Sequence, residues 1–196
     1  MISRFPAYWH KSGFDSEQGE DGIEILNNLP YFLDSNYKRL QEEKRKEIIE
    51  KSFNRSVLEI LNKNINVIIM YPVPEVGFWV PNVLAARVLP RLKVQYLLNQ
   101  FFDDSTFLNL PKNKYITTSY ELYLKRNKEV FNMLDKIEHH NLFRIYPQEK
   151  LCNKQLKNRC ITHTEKYIYY RDNNHLSKIG IKLIMPELID IFDKIK

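Results

Sequence analysis

An aspartate and a histidine stand three residues apart near the end of the chain, in a pattern that suits acid–base catalysis. Asp172 and His175 are followed by Leu176, Ser177 and an amphipathic segment. Histidine is the usual base that activates a serine hydroxyl, because its pKa lies near neutrality. A carboxylate on the other ring nitrogen fixes the tautomer and stabilises the imidazolium that forms. One loop would therefore supply the acid and the base of a Ser-His-Asp triad.

The same residues also fit a purely structural interpretation. Asp, Asn and Ser before an apolar-periodic run are ordinary N-cap residues of a helix. The pattern Asp-x-x-His is short enough to occur by chance, so its meaning depends on the sequence around it. From the four residues alone both interpretations stay open.

The surrounding sequence resembles a known family. Residues 172–180, which read D-x-x-H-L-S-x-x-G, resemble the last block of the SGNH (GDSL-type) hydrolases. More narrowly, they resemble the SGNH domain fused to acyltransferase-3 membrane proteins. Further segments that are similar to this domain occur in order along nearly the whole chain: residues 13–15 with Gly19 and Gly22, residues 67–75, residues 80–81, residues 119–126, and Leu151 and Cys152 with Cys160.

This resemblance implies a fold, an activity and partners. The implied fold is a three-layer α/β/α sandwich with a parallel sheet, as one partial SGNH hydrolase-like domain over residues 1–196. His175 would be the catalytic base and Asp172 its orienting acid, in O-acylation (above all O-acetylation) of a bacterial cell-surface polysaccharide such as lipopolysaccharide. The implied partners are a glycan acceptor and an upstream membrane acyltransferase domain, at the periplasmic, extracytoplasmic face of the inner membrane. No cofactor and no metal are implied.

The serine that such a triad needs is not visible in the sequence. There is no Gly-Asp-Ser block, and residues 13–16 carry those letters only with an insertion. Ser16 also lacks the strand–turn–helix context that a serine nucleophile requires. By the ordered similarity, residues 1–5 correspond to the end of the family's third strand, so the serine is expected before Met1. We therefore expect the chain alone to be catalytically inactive.

Other candidate site residues also rest on the resemblance. Arg4 matches an Arg-aromatic pair and would stabilise an oxyanion, or alternatively only solvate the chain terminus. Glu75 and Trp79 are candidates to line a sugar site, with packing of Trp79 onto the sheet as the alternative. Cys152 and Cys160 match a late cysteine pair and are expected to form a disulfide in an oxidising compartment, or to stay free thiols in the cytoplasm.

Composition narrows the class of protein further. A length of 196 residues with 43% hydrophobic residues suits one domain with a buried core. We expect no transmembrane span and see no leader at Met1, so export signals would lie upstream. The net charge is +6, but basic and acidic residues alternate as on a solvated helix face. We therefore expect no nucleic-acid partner, whereas an anionic glycan remains compatible.

Periodicity predicts the order helix–strand–helix–strand–helix, which indicates an α/β sandwich with a parallel sheet. Ligands of such sheets bind beyond the carboxyl ends of the strands. The predicted segments are a strand end and Gly-rich loop over 1–25, a helix over 31–62, a buried strand over 66–71, an irregular or partly helical stretch over 75–115, a helix over 117–138 capped by Thr117, Thr118 or Ser119, a strand over 142–146, and a last helix that Pro186 kinks or divides.

Two other functions remain compatible with this sequence. A free-standing carbohydrate acetylesterase would share the acyl-enzyme and use water as its acceptor, and transmembrane helices upstream would favour the transferase instead. A non-catalytic remnant or glycan-binding module would need no serine at all. Such a remnant has no reason to keep both Asp172 and His175.

Overall fold

Two parallel strands lie at the centre of the fold in a computed structural model that describes residues 5–17, 24, 38–88 and 115–195. Strand β1 (Val67–Met70) pairs with strand β3 (Leu142–Ile145) in parallel register. The remaining elements are α1 (Phe5–His10), α2 (Glu42–Leu61), α3 (Val80–Val83) with a π-helical turn over Leu84–Val88, β2 (Thr117–Ser119), α4 (Tyr120–Asp135), α5 (Gln148–Leu151), β4 (Arg159–Ile161), α6 (Lys178–Lys182) and α7 (Met185–Ile195).

Alternate side chains of β1 enter two different apolar clusters, as the two-residue period of a strand requires. Ile69 packs with residues of α2 and α4, among them Leu61 and Leu134. Ile68 and Met70 instead pack in the cluster of Ile145, Ile184 and Ile191, which includes α7. Parallel strands are usually covered by helices because the crossover places them on the sheet faces. The chain thus has an α/β architecture with a parallel strand pair, as predicted.

A second pair of strands holds the segment that precedes the Asp172 loop. Strands β2 and β4 pair antiparallel, with Thr118 opposite Cys160. The structure joins Cys152 and Cys160 by a disulfide, which closes a small exposed loop between α5 and β4. Both cysteines are buried in a cluster that also contains Tyr170. The second strand pair therefore lies next to the loop that carries Asp172 and His175.

The loop predicted to follow the strand end at residues 1–5 is wrong where it begins, since Phe5–His10 is a helix, while residues 1–4 lie outside the described residues. Phe5 and Trp9 stand one helical turn apart, their rings are 6.1 Å apart, and Phe5 also meets Phe53 of α2 at 5.8 Å. Pro6 favours this start, because proline is tolerated in the first turn of a helix. Packing against α2 thus selects a helix here.

Helix α2 begins later than predicted. It starts at Glu42, with Gln41 in an extended conformation, while residues 38–41 are not helical. Glu42 and Glu43 lie in the first turn, where the helix dipole favours negative charge. The predicted residues 31–37 lie outside the described residues, as does 89–114 of the stretch predicted to be irregular.

The later elements match the predictions more closely. Ser119 caps α4 by accepting a hydrogen bond from the Leu122 amide at 3.2 Å, whereas Thr117 and Thr118 belong to strand β2. The C-terminal segment is divided, with Pro186 in the first turn of α7. Among the described residues, no helix combines the length and the apolar character needed to cross a bilayer.

The disulfide is expected to stabilise the fold by restricting the unfolded chain. Cys152 and Cys160 are eight residues apart, and loop-closure entropy for a loop of that size is worth about 2–3 kcal/mol. We predict that the double variant Cys152→Ala/Cys160→Ala lowers the free energy of unfolding by at least this amount in urea titrations. Reduced wild-type protein serves as the control and should lose a similar amount. Equal stability of the oxidised and reduced forms would contradict the prediction.

A buried histidine makes the stability of the fold depend on pH. His163 is 1% exposed. Its Nε2 accepts from the Ile116 amide at 2.9 Å, so the hydrogen is on Nδ1, 3.0 Å from the Thr164 carbonyl. Burial lowers the pKa of His163 in the fold. The unfolded imidazole, with a pKa of about 6.5, therefore binds a proton at a pH where the folded ring stays neutral.

It follows that stability due to His163 is present above about pH 6.5 and is lost as the pH falls. We predict that His163→Gln makes the decline of unfolding free energy between about pH 7 and pH 5 shallower, measured by urea titration at each pH. Burial also lowers the pKa of His10, so His10→Gln should remove a separate share of the same slope. An unchanged slope in His163→Gln would contradict the assignment.

Candidate active site

The Asp172 side chain closes a tight turn onto His175. One carboxylate oxygen accepts from the amides of Asn174 at 2.9 Å and His175 at 2.7 Å. The other oxygen lies 2.7 Å from Nδ1 of the His175 ring. Because a carboxylate only accepts, Nδ1 carries the hydrogen, and in the neutral ring Nε2 is the atom that can take a proton. Within the described residues, Nε2 has no hydrogen-bond partner.

Three carbonyl groups of this turn are bonded from the segment that follows β1. The Arg171 carbonyl accepts from the Trp79 indole at 3.1 Å, and the Asn173 carbonyl accepts from the Val76 amide at 3.0 Å. The Asp172 carbonyl lies 3.4 Å from the Val80 amide. These bonds attach the turn to the carboxyl end of β1, the edge where ligands of parallel sheets bind.

The Leu-Ser-x-x-Gly section of the motif fixes the helix that follows the turn. The Ser177 hydroxyl accepts from the Gly180 amide at 3.1 Å and donates to the Ile168 carbonyl at 2.6 Å, so it both caps α6 and ties it down. A Cβ at Gly180 would lie 2.2 Å from the Tyr169 carbonyl oxygen. Only glycine allows α6 to approach the strand segment before the turn this closely.

His175 stands at the mouth of an apolar cavity of about 320 Å³. The His175 side chain is 46% exposed and that of Asp172 29%. The cavity is lined by Met70, Tyr71, Val73, Asn174, His175, Leu176, Ile181, Ile184, Met185 and Leu188. A larger hollow of about 640 Å³ lies on α2, but the charged side chains around it, such as Glu47 and Lys51, form exposed ion pairs with one another. Of these two hollows, the one beside His175 adjoins the pair of Asp172 and His175.

The predicted sugar contacts occupy two different environments. Glu75 is 4% exposed, and its carboxylate accepts from Nε of Arg126 at 2.6 Å. The structure thus gives Glu75 a buried ion pair in place of the open position that a sugar contact requires. Trp79 is 56% exposed, and its indole is held by the bond to the Arg171 carbonyl. Its ring lies beside the turn, and its role toward a sugar stays a prediction.

The other predicted residues do not join the turn. Arg4 lies outside the described residues. Ser16 is 2% exposed, and its hydroxyl has no hydrogen-bond partner among the residues that the structure describes. That Ser16 is not the nucleophile stays a prediction. Cys152 and Cys160 form the disulfide described above.

Sequence reasoning missed one residue that contacts the turn. Glu24 accepts hydrogen bonds from the side-chain amides of both Asn173 and Asn174. It is separated from them by 149 and 150 residues. No local pattern signals such a contact, because a single Glu in a Gly-rich loop resembles any exposed acidic residue.

Comparison with known proteins supports the family suggested by the motif. The family model described as "SGNH domain (fused to AT3 domains)" matches residues 1–190 of the chain. A search of curated proteins found no match, and a search of solved structures found none either.

The close approach at Gly180 gives a direct test of the motif's structural role. We predict that Gly180→Ala lowers the free energy of unfolding by about 1–3 kcal/mol, as overpacking does. The gain in helix propensity of about 1 kcal/mol does not offset a backbone contact of this kind. Lys194→Ala on α7 is the control, because Lys194 is exposed, and should change stability by no more than about 0.5 kcal/mol. Urea titration measures both, and a stabilised Gly180→Ala protein would refute the steric argument.

Proposed function

Because the chain belongs to the family of SGNH domains fused to AT3 domains, we propose that it supplies the histidine and aspartate of an O-acyltransferase active site. One observation carries the proposal: Asp172 holds Nδ1 of His175 at 2.7 Å while Nε2 has no partner among the described residues. This arrangement orients the ring of a general base and fixes its tautomer. The cavity beside it leaves room for a reacting group.

The proposed reaction proceeds in two acyl transfers. Nε2 of His175 takes the proton of a serine hydroxyl as the serine oxygen bonds to the carbonyl carbon of an acyl donor. The donor's leaving group departs with that proton, which gives an acyl-serine. An acceptor hydroxyl of a glycan then loses its proton to Nε2 and attacks the acyl-serine, and the serine leaves with the proton. Asp172 stays ionised throughout and orients the ring.

We place the serine on a polypeptide segment outside this chain. The sequence contains no Gly-Asp-Ser block, and the hydroxyl of Ser16 is buried. Apolar side chains of α7 that do not line the cavity are exposed, which suits packing against a further helix: Ile189 and Phe192 are each 51% exposed. In the proposed full domain, β1 and β3 belong to a wider parallel sheet of a three-layer sandwich, since parallel sheets are covered on both faces.

We propose a bacterial cell-surface polysaccharide as the acceptor and acetyl as the acyl group, at the periplasmic face of the inner membrane. Fusion of the family to AT3 domains supports a membrane module that delivers the acyl group. The disulfide supports an oxidising compartment. The net charge of +6 favours an anionic glycan.

The proposal predicts a large loss of acyl transfer when the base or its orienting acid is removed. His175→Gln should lower O-acylation of the surface polysaccharide by about 10²–10⁴-fold, the usual contribution of a general base. Asp172→Asn should cause a loss of about 10⁴-fold, because the amide favours the wrong tautomer. The ester content is measured by NMR of polysaccharide purified from cells that carry the intact gene or each variant.

His140→Gln is the matched control, because His140 is an exposed histidine on the turn before β3. It should leave the ester content unchanged. Full O-acylation in His175→Gln cells would refute the proposed role. If the purified intact protein transfers the acyl group to water and not to a glycan hydroxyl, the protein is an esterase instead.

A further inference from the structure

Glu24 holds the two residues that lie between Asp172 and His175. Its Oε1 accepts from Nδ2 of Asn173 at 2.8 Å and from Nδ2 of Asn174 at 2.9 Å. A carboxylate offers no hydrogen, so both amide nitrogens must face it and the orientation of each amide is determined. Bonds to a charged acceptor are stronger than those between neutral groups. One carboxylate oxygen of Glu24 therefore fixes the side chains of both Asn173 and Asn174.

Glu24 is itself held in place by the segment around Phe14. The Glu24 amide donates to the Phe14 carbonyl at 2.9 Å, and Oε2 of Glu24 lies 3.4 Å from the Phe14 amide. A Cβ at Gly13 would lie 1.8 Å from the Glu24 carbonyl oxygen, so this approach requires glycine. The backbone amide and Oε2 of Glu24 are therefore both held at Phe14, while its Oε1 binds the turn.

Arg126 of α4 extends this support to the centre of the fold. Its guanidinium donates to the Ser12 carbonyl at 2.7 Å and lies 5.8 Å from the centre of the Phe14 ring. The same guanidinium forms the buried ion pair with Glu75. A continuous set of contacts therefore runs from α4 through Phe14 and Glu24 to the turn.

We propose that Glu24 is a positioning residue that keeps Asp172 aligned with the His175 ring, an inference that rests on the proposed function. The Asp172 carboxylate binds the backbone amides of Asn174 and His175, and Glu24 holds the side chains of the same turn. The His175 ring is 46% exposed, so packing alone does not restrain it. Removing Glu24 leaves two amides without their acceptor, one of them on Asn174, which is 3% exposed. The turn then opens, and Nδ1 of His175 loses its fixed acceptor.

The test follows the tautomer of His175 by ¹⁵N NMR of the full chain at a pH where the ring is neutral. We expect the Nδ1–H tautomer in the wild type, and a shift toward Nε2–H in Glu24→Ala. Exchange of the Val76 amide hydrogen, which reports on the bond to the Asn173 carbonyl, should accelerate by about tenfold or more. Glu17→Ala is the matched control, because Glu17 is an exposed acidic residue of the same N-terminal segment.

A second variant keeps the test decisive if Glu24→Ala does not fold. Asn173→Ala/Asn174→Ala removes the donors and leaves the contact between Glu24 and Phe14 intact, so it should shift the tautomer in the same way. An unchanged tautomer in this double variant, or in folded Glu24→Ala, would overturn the proposal and leave Glu24 as a structural contact of the N-terminal segment. A shifted tautomer together with full O-acylation in His175→Gln would keep the positioning role and refute the proposed function.

Discussion

The contact between the Asp172 carboxylate and the His175 ring depends on hydrogen bonds that other segments of the chain make to the turn. A carboxylate and an imidazole on a solvated loop would exchange partners with water and lose side-chain entropy when they pair, which is why exposed ion pairs contribute little on their own. Here the segment after β1 bonds the turn's carbonyl groups, and Glu24 bonds its side-chain amides. These bonds from the rest of the fold therefore offset the conformational entropy that the two side chains lose when they pair.

The buried pair of Glu75 and Arg126 provides similar support at a greater distance from the turn. Taking both charges out of water is costly, and their attraction compensates only with good geometry and additional hydrogen bonds. The Arg126 guanidinium contacts Ser12 as well as Glu75, so the pair links the N-terminal segment to the end of β1. These two regions of the chain hold the turn, and the pair fixes their relative position.

The apolar cavity determines the environment in which His175 would act. Its lining residues come from β1 and the segment after it, from the turn that carries His175, and from α6, α7 and the residue Ile184 between these helices. A hydrogen bond or an interaction between two charges is stronger in such surroundings than in water, because the effective dielectric constant is lower. The cavity lies at the carboxyl end of β1, which is also the edge at which the parallel strand β3 ends.

The local features of the site were readable from the sequence, since their contacts lie within a few residues. Asp172 reaches His175 across one turn, and Ser177 caps the helix at Gly180, so the spacing in the sequence made both contacts possible. Strands β1 and β3 and helix α4 were also predictable from their apolar periods, whereas β2 and β4 were not predicted. In contrast, α1 forms because Phe5 packs on Phe53, and Glu24 reaches the turn across about 150 residues of chain. The sequence pattern that contains Glu75 and Trp79 placed both residues after β1. Only packing determined that Glu75 is buried and Trp79 exposed. Such contacts depend on where distant segments meet, which no local pattern encodes, and so the tertiary structure alone determined what holds the turn.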